Sequence, residues 1–323
     1  MADVTRLCRD VLDQVERAIV GKRAALELVL AGVLAGGHVL LQDSPGLGKT
    51  LAARTLAQTL GLPFRRAQFT PDLLPADVTG SFVWDQKVSE FQFRQGPLFA
   101  GLLLADEINR TPPKTQSALL EAMQERQVTV EGTTFALDRP FHVIATANPI
   151  EYEGTYPLPE AQLDRFLLQV SFDYPEAEDE VRVLGNRIGR AREEVEVEQV
   201  TDAAGLLGAQ QVVESVEVDP SVQRYCVALT RATRESSQVL LGASPRGSLA
   251  LVLTARARAV INGRDYVVPE DVKAVAVAAL AHRITLRPEV WMRDVGGVDV
   301  VRTVLGHVPA PAAQDARPDP ARP

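Results

Sequence analysis

Two short stretches hold the residue types from which nucleotide chemistry is built. Residues 43 to 50 read Asp-Ser-Pro-Gly-Leu-Gly-Lys-Thr, between a short apolar run and a helical pattern. The glycines let backbone N–H groups turn inward, and the helix N-terminus adds partial positive charge, so the stretch suits a phosphate group. Ser44, Pro45, Gly46, Leu47, Gly48, Lys49, Thr50 and Leu51 would line it. Lys49 would reach the β and γ phosphates and the Thr50 hydroxyl would ligate Mg2+. The plain alternative is a Gly-rich turn before an ordinary helix. Asp43 stands where the loop pattern has Gly. Asp tolerates a left-handed backbone better than most residues. Its carboxylate would repel phosphates if turned inward and cap local N–H groups if turned outward.

The second stretch, Leu102-Leu-Leu-Ala-Asp106-Glu107, is an apolar run ending in two carboxylates. Ionised carboxylates at the end of a buried strand are costly unless something pairs with them. Beside a phosphate loop, Asp106 would hold the Mg2+ shell and Glu107 would polarise the attacking water. Asn148, closing Val143 to Asn148, would orient that water if its strand lies beside that of Asp106; capping a turn before Pro149 is the alternative. Arg165, read as the start of the last strand, could stabilise γ-phosphate charge on a neighbouring subunit; a salt bridge with Asp164 or Glu160 is the alternative. Arg246 falls in the first turn of a helix opened by Pro245, where the dipole disfavours a cation and a phosphate partner would resolve the conflict.

The elements that must position these residues follow from pattern. Helical periodicity covers residues 5–35, broken at Ile19-Val-Gly-Lys-Arg23. Five apolar strands are expected near residues 38–42, 62–69, 101–107, 141–149 and 165–172, mostly separated by helices. That alternation predicts an α/β fold with a parallel five-stranded sheet covered by helices on both faces. Residues 80–97 and 127–137 alternate apolar and polar residues and read as hairpins, the second turning at Glu131-Gly132. From 175 to 308 the patterns are helical, suggesting a smaller all-α domain after a 1–174 core. Residues 309–323, rich in Pro and Ala, read as a disordered tail.

Composition narrows the function classes. The chain has 323 residues, 46% hydrophobic and 24% charged, with net charge −8. A large sequence-independent affinity for nucleic acid needs a basic surface, so none is expected. Two cysteines, Cys8 and Cys226, lack partners at metal-site spacing and suit a reducing cytoplasm. No apolar run reaches membrane-spanning length, and the N-terminus has no secretory pattern.

The motifs, in this order, resemble the MoxR family of AAA+ ATPases. The resemblance rests on GLGKT, QFTPDLLPADVTG, QGPLFAGLLLADEINR, PPKTQSALLEAMQERQVTVEG, VIATANPIEYEGTYPLPEAQLDRF and GASPRGSLAL, and spans residues 5 to 306. It implies an AAA+ P-loop NTPase core with a C-terminal lid, binding ATP and Mg2+ in a homo-oligomeric, hexameric ring. By the same likeness Gly46 to Thr50 are Walker A and Asp106 and Glu107 are Walker B. Asn148 is then sensor 1, Arg165 the arginine finger and Arg246 sensor 2, with Val20 and Gly21 near adenine. It further implies protein clients, often with von Willebrand A domain partners, and a chaperone-like role. A nucleic-acid motor and a nucleotide-binding scaffold with little turnover are the competing readings. Acidic charge opposes the first, and the presence of Lys49, Asp106, Glu107 and Arg165 opposes the second. Gln68 ends the strand expected to flank that of Asp106, where it could hydrogen-bond Glu107 and hold it back from water.

Overall fold

The structure is a computed structural model and describes residues 1–148, 155–192, 194–293 and 295–311. The proline-rich tail expected from residue 309 lies outside them from residue 312 onward, as does Pro149.

Two helices, α1 (Ala2–Glu16) and α2 (Arg23–Leu34), lead into β1 (Val39–Gln42), the phosphate-loop candidate and α3 (Lys49–Thr59). β2 (Phe64–Gln68), the short α4 (Pro75–Thr79) and a hairpin of β3 (Gly80–Asp85) and β4 (Glu90–Gln95) follow. Then come β5 (Leu102–Asp106), α5 (Pro113–Glu125), a second hairpin of β6 (Gln127–Val130) and β7 (Thr133–Ala136), and β8 (His142–Ala147). The turn of that second hairpin is at Glu131 and Gly132, both with positive φ (49° and 82°), as the Glu-Gly pair suggested. α6 (Glu160–Leu163) precedes the last strand, β9 (Leu168–Val170).

The five strands form one parallel sheet in the order β2-β5-β8-β1-β9. The three inner strands β1, β5 and β8 are buried on both faces, which explains their continuous apolar runs, whereas β2 at the edge exposes Arg65 and Arg66. Along β5, Leu102 and Leu104 pack toward α1, α2 and α3, while Leu103 and Ala105 pack toward α4 and α5. The period of two thus sends alternate side chains into two separate cores, one on each face.

The rest of the described chain is mainly helical: α7 (Ala177–Arg190), α8 (Ala203–Glu214), α9 (Pro220–Glu235), α10 (Pro245–Ile261), α11 (Pro269–Leu280) and α12 (Gly297–His307). Two short strands, β10 (Val239–Leu241) and β11 (Thr285–Leu286), pair antiparallel among them, although no strong strand pattern marks them. At two and three residues they are too short to show a period. Helices α8 to α12 share one apolar core with α1, α2 and the near face of the sheet. Buried histidines tie the two parts together. His142 Nδ1 donates to the Gly37 carbonyl (3.0 Å) and its Nε2 accepts from Gln210 on α8 (3.1 Å). His282 Nε2 donates to the Phe166 carbonyl (3.2 Å). No described helix is long and apolar enough to cross a membrane.

One sequence expectation needs correction here. Arg165 does not begin the last strand. It sits in the turn after α6, its N–H bonded to the Gln162 carbonyl (3.1 Å), three residues before β9 starts. The apolar run that follows it masked this boundary.

Candidate nucleotide site

The loop after β1 makes two left-handed turns, at Gly46 (φ 85°) and Gly48 (φ 80°). Only glycine adopts these at little steric cost. Gly48 is the N-cap of α3, so Lys49 and Thr50 open the helix. A side chain at Gly46 would meet nothing within 4 Å, so it is the left-handed backbone and not crowding that calls for glycine there. Lys49 Nζ donates across the loop to the carbonyls of Asp43 (2.7 Å) and Ser44 (2.9 Å). Burial pulls its pKa down, opposed by the carboxylates of Asp43, Asp106 and Glu107.

Asp43 is resolved by its partners. Its carboxylate is buried and turned away from the loop interior. It accepts from the Ser171 hydroxyl (2.5 Å), the Phe172 N–H (2.5 Å) and the Asp173 N–H (3.3 Å), beyond the end of β9. Its backbone is not left-handed, so the tolerance of Asp for that conformation is not what admits it. The residue serves instead as a cap for the neighbouring strand end, the outward arrangement in which it does not oppose phosphate.

The two acids lie side by side with different partners. Asp106 Oδ1 accepts from the Thr146 hydroxyl (2.6 Å), and Oδ2 accepts from Arg66 Nη2 (2.7 Å) and Nε (3.1 Å). Glu107 has a left-handed backbone (φ 57°), costly for a non-glycine residue and held by its neighbours. Its N–H donates to Thr146 Oγ1 (2.8 Å), and its Oε2 accepts from Gln68 Nε2 (2.7 Å) and Arg110 Nη1 (3.0 Å). The Gln68 contact is the one expected from the topology, with Gln68 paired opposite Asp106 in the sheet. Asn148 follows β8 beside β5, and its backbone pairs with the Asn109 side chain: Asn109 Nδ2 donates to the Asn148 carbonyl (3.0 Å) and Oδ1 accepts its N–H (3.4 Å).

Arg66, Arg110, Asn109 and Thr146 were not anticipated. Thr146 had a visible signal, a hydroxyl in an otherwise apolar strand. Arg66 had none, because alternation on an edge strand also places charges in solvent.

Val20 and Gly21 turn back beside the loop. A side chain at Gly48 would come within 3.3 Å of Ile19, the residue before Val20. Gly21 (φ 73°) lies against Asp179 at the start of α7; a Cβ there would fall 1.8 Å from Asp179 Oδ2. Leu51 is exposed in the first turn of α3.

The two arginines are elsewhere. Arg165 precedes β9 and Arg246 lies near it, whereas the phosphate loop follows β1, which runs parallel to β9. From Gly37, beside Arg165, to Asp43 is roughly 20 Å of extended chain, beyond the reach of one side chain. Asp164 does not pair with Arg165. It accepts from Arg283 Nε (2.7 Å) and Ser244 Oγ (3.1 Å), and approaches Arg246 Nε at 4.0 Å. Glu160 accepts from the Thr285 hydroxyl. The Arg165 side chain therefore makes neither expected salt bridge. Arg246 finds a carboxylate within its own chain in place of the expected phosphate, and the Ser244 side chain caps its N–H (3.1 Å).

Among the described residues no group of three or more His, Cys, Asp or Glu is placed to hold a metal. Magnesium delivered with nucleotide phosphates needs only one or two protein oxygens. The Thr50 hydroxyl and the Asp106 carboxylate are of that kind, though Arg66 stands against one Asp106 oxygen.

Known proteins resemble this chain over most of its length. Residues 38–168 match the ATPase family associated with various cellular activities (AAA), and residues 231–304 match the AAA lid domain. Chaperone MoxR1 of Mycobacterium tuberculosis is 43% identical over 96% of this chain and 84% of its own. Protein MoxR of Methylorubrum extorquens is 31% identical over 92% and 93%. YeaC of Bacillus subtilis is 46% identical over 97% and 98%. The crystal structure of a candidate ATPase from Cytophaga hutchinsonii superimposes with a TM-score of 0.89 at 40% identity, covering 96% of both chains.

Proposed function

The chain belongs to the MoxR family of AAA+ ATPases and hydrolyses ATP, and from that premise we propose that it works as a homo-oligomeric ring, hexameric as in the resemblance, that remodels, assembles or activates partner protein complexes. The observation that carries the ring is the distance between Arg165 and the phosphate loop of the same chain. An arginine at the opposite end of the strands can serve a γ-phosphate only on a neighbour.

In this reading Gly46 to Thr50 cradle the phosphates, with the left-handed turns at Gly46 and Gly48 before the α3 N-terminus as the fit. ATP with its Mg2+ supplies the phosphoanhydride bond to be cleaved. Lys49 leaves its two carbonyl partners for the phosphates, Thr50 and Asp106 offer oxygens to the metal, and Val20 and Gly21 approach the base. Glu107 orients water once released from Gln68, and Asn148 holds the far side of that water. Arg165 and Arg246 stabilise charge across the interface. The Arg246 approach to Asp164 is long enough to be exchanged for a phosphate.

The client surface we favour is the first hairpin. Trp84 and Phe91 pair edge to face (5.2 Å) near its end, 49% and 67% exposed. Exposed aromatic pairs of this kind suit a protein partner. On family likeness we assign a von Willebrand A domain protein as that partner, in the cytoplasm. We divide the chain at residues 174–175 into core and lid.

The test is ATPase activity against protein concentration, for the native chain and for Glu107→Gln and Arg165→Ala. Each variant alone is expected to be inactive. Mixed, they should regain activity, because some interfaces then join an intact Glu107 to an intact Arg165. Rate proportional to concentration, with no rescue on mixing, would refute the shared site.

A further inference from the structure

α7 has 14 residues and not one buried side chain. Val181, Leu184 and Ile188 fall on one stripe and are 62, 63 and 77% exposed. A helix this short is marginal alone in water, and most helical stability comes from packing an apolar face. Something must cover this one.

The position of α7 identifies what. Asp43 holds residues 171–173, just before α7, and Asp179 in its first turn lies against Gly21. The helix therefore leaves the sheet at the phosphate-loop end of the strands. The opposite end of the strands carries a groove of about 230 Å3, with Met123, Leu167, Leu249 and Leu253 along it and Arg165 and Arg246 at its rim. That is below the ~300–1,000 Å3 of small-molecule sites. Leu249 is 56% exposed. If these arginines act on a neighbour, the groove must face that neighbour's phosphate-loop end, where α7 stands. The charges agree. The first turn of α7 is acidic, with Glu178 and Glu180 exposed beside Asp179, and its last turn carries Arg187 and Arg190. The acidic end complements the arginine rim and sets the direction of the helix.

We propose that the Val181, Leu184 and Ile188 stripe of α7 seats in the Leu249 and Leu253 groove of the next copy of this chain, its acidic first turn against Arg165 and Arg246. The contact joins two different surfaces, so it repeats head to tail, the kind of contact from which a ring is built. It rests on the ring reading above.

Native Cys8 and Cys226 are buried, with thiols pushed up to about 12, so they stay silent toward a thiol crosslinker. Full-length Leu184→Cys and Leu249→Cys chains, both carrying Glu107→Gln, are mixed with ATP and treated with a short bis-maleimide. A crosslinked dimer is expected from the mixture and from neither variant alone, and its linkage, read by mass spectrometry, should join residues 184 and 249. Sedimentation of the same samples reports assembly separately. Rings without the crosslink, or equal crosslinking by one variant alone, would overturn the docking and leave the ring standing. No assembly at any concentration would overturn both. Val181→Asp with Ile188→Asp touches only exposed positions, so the monomer should fold; unchanged assembly in that variant would also overturn the docking.

Discussion

Acidification from pH 7.5 to 5.0 should cost this fold about 6 kcal/mol through three histidines. Burial drives His38 and His282 down to about 3 and His142 down to about 4. The cationic neighbours Arg126, near His38 and His142, and Arg283, near His282, add to the effect. His38 is fixed as neutral by geometry: its Nε2 donates to the Met123 carbonyl (3.0 Å) and its Nδ1 accepts the Val143 N–H (2.9 Å). In the unfolded chain each titrates near 6.5. Below that pH the unfolded state binds protons the native state refuses, so stability falls as pH falls, until the native values near 3 to 4. At pH 5.0 each histidine contributes about 1.5 × 1.36, or roughly 2 kcal/mol, whatever its native value well below 5. Three give about 6 kcal/mol, against a typical total of about 5–15. Urea unfolding followed by circular dichroism at pH 7.5, 6.0 and 5.0, at fixed ionic strength, measures this. The slope below about pH 5.5 should approach three protons, about 4 kcal/mol per pH unit. His142→Gln should reduce it by one proton. Equal stability at pH 7.5 and 5.0 would show that these rings are not held neutral and buried, and the account of how helices and sheet are tied at Gly37 and Phe166 would fall with it.

Gln68→Ala removes one of the two donors on Glu107 Oε2 and leaves Arg110, and basal ATPase should rise several-fold while client stimulation shrinks; if neither rate changes, Gln68 does not restrain Glu107. Asp43→Asn weakens the cap on Ser171 and Phe172, and thermal or urea unfolding should show a loss of about 1–3 kcal/mol, with the KM for ATP within a few-fold of native; a large rise in KM with unchanged stability would mean that Asp43 acts on phosphate after all. Asp164→Asn removes a carboxylate from a buried arginine, Arg283, and should cost about 3–5 kcal/mol in unfolding free energy; Arg283→Met in the same chain should recover part of it.

The sheet was legible because its three inner strands are buried on both faces, so burial alone wrote the apolar runs of residues 39–42, 102–106 and 142–147 into the sequence. The phosphate loop was legible for a different reason: left-handed turns at Gly46 and Gly48 admit almost nothing else. Asp106 and Glu107 stood out because charge at a buried strand end demands a partner. What those partners are was less visible. Gln68 followed from strand order, but Arg66 and Arg110 lie on partly exposed positions where any charge is tolerated. Asp43 is the sharpest instance. Its identity answers to Ser171, Phe172 and Asp173, about 130 residues away, and nothing in the loop itself announces that contact. A local motif records what the ligand requires of the loop. It does not record what the neighbouring strand requires, so a departure from the motif reads as a defect until the strand end it caps is in view.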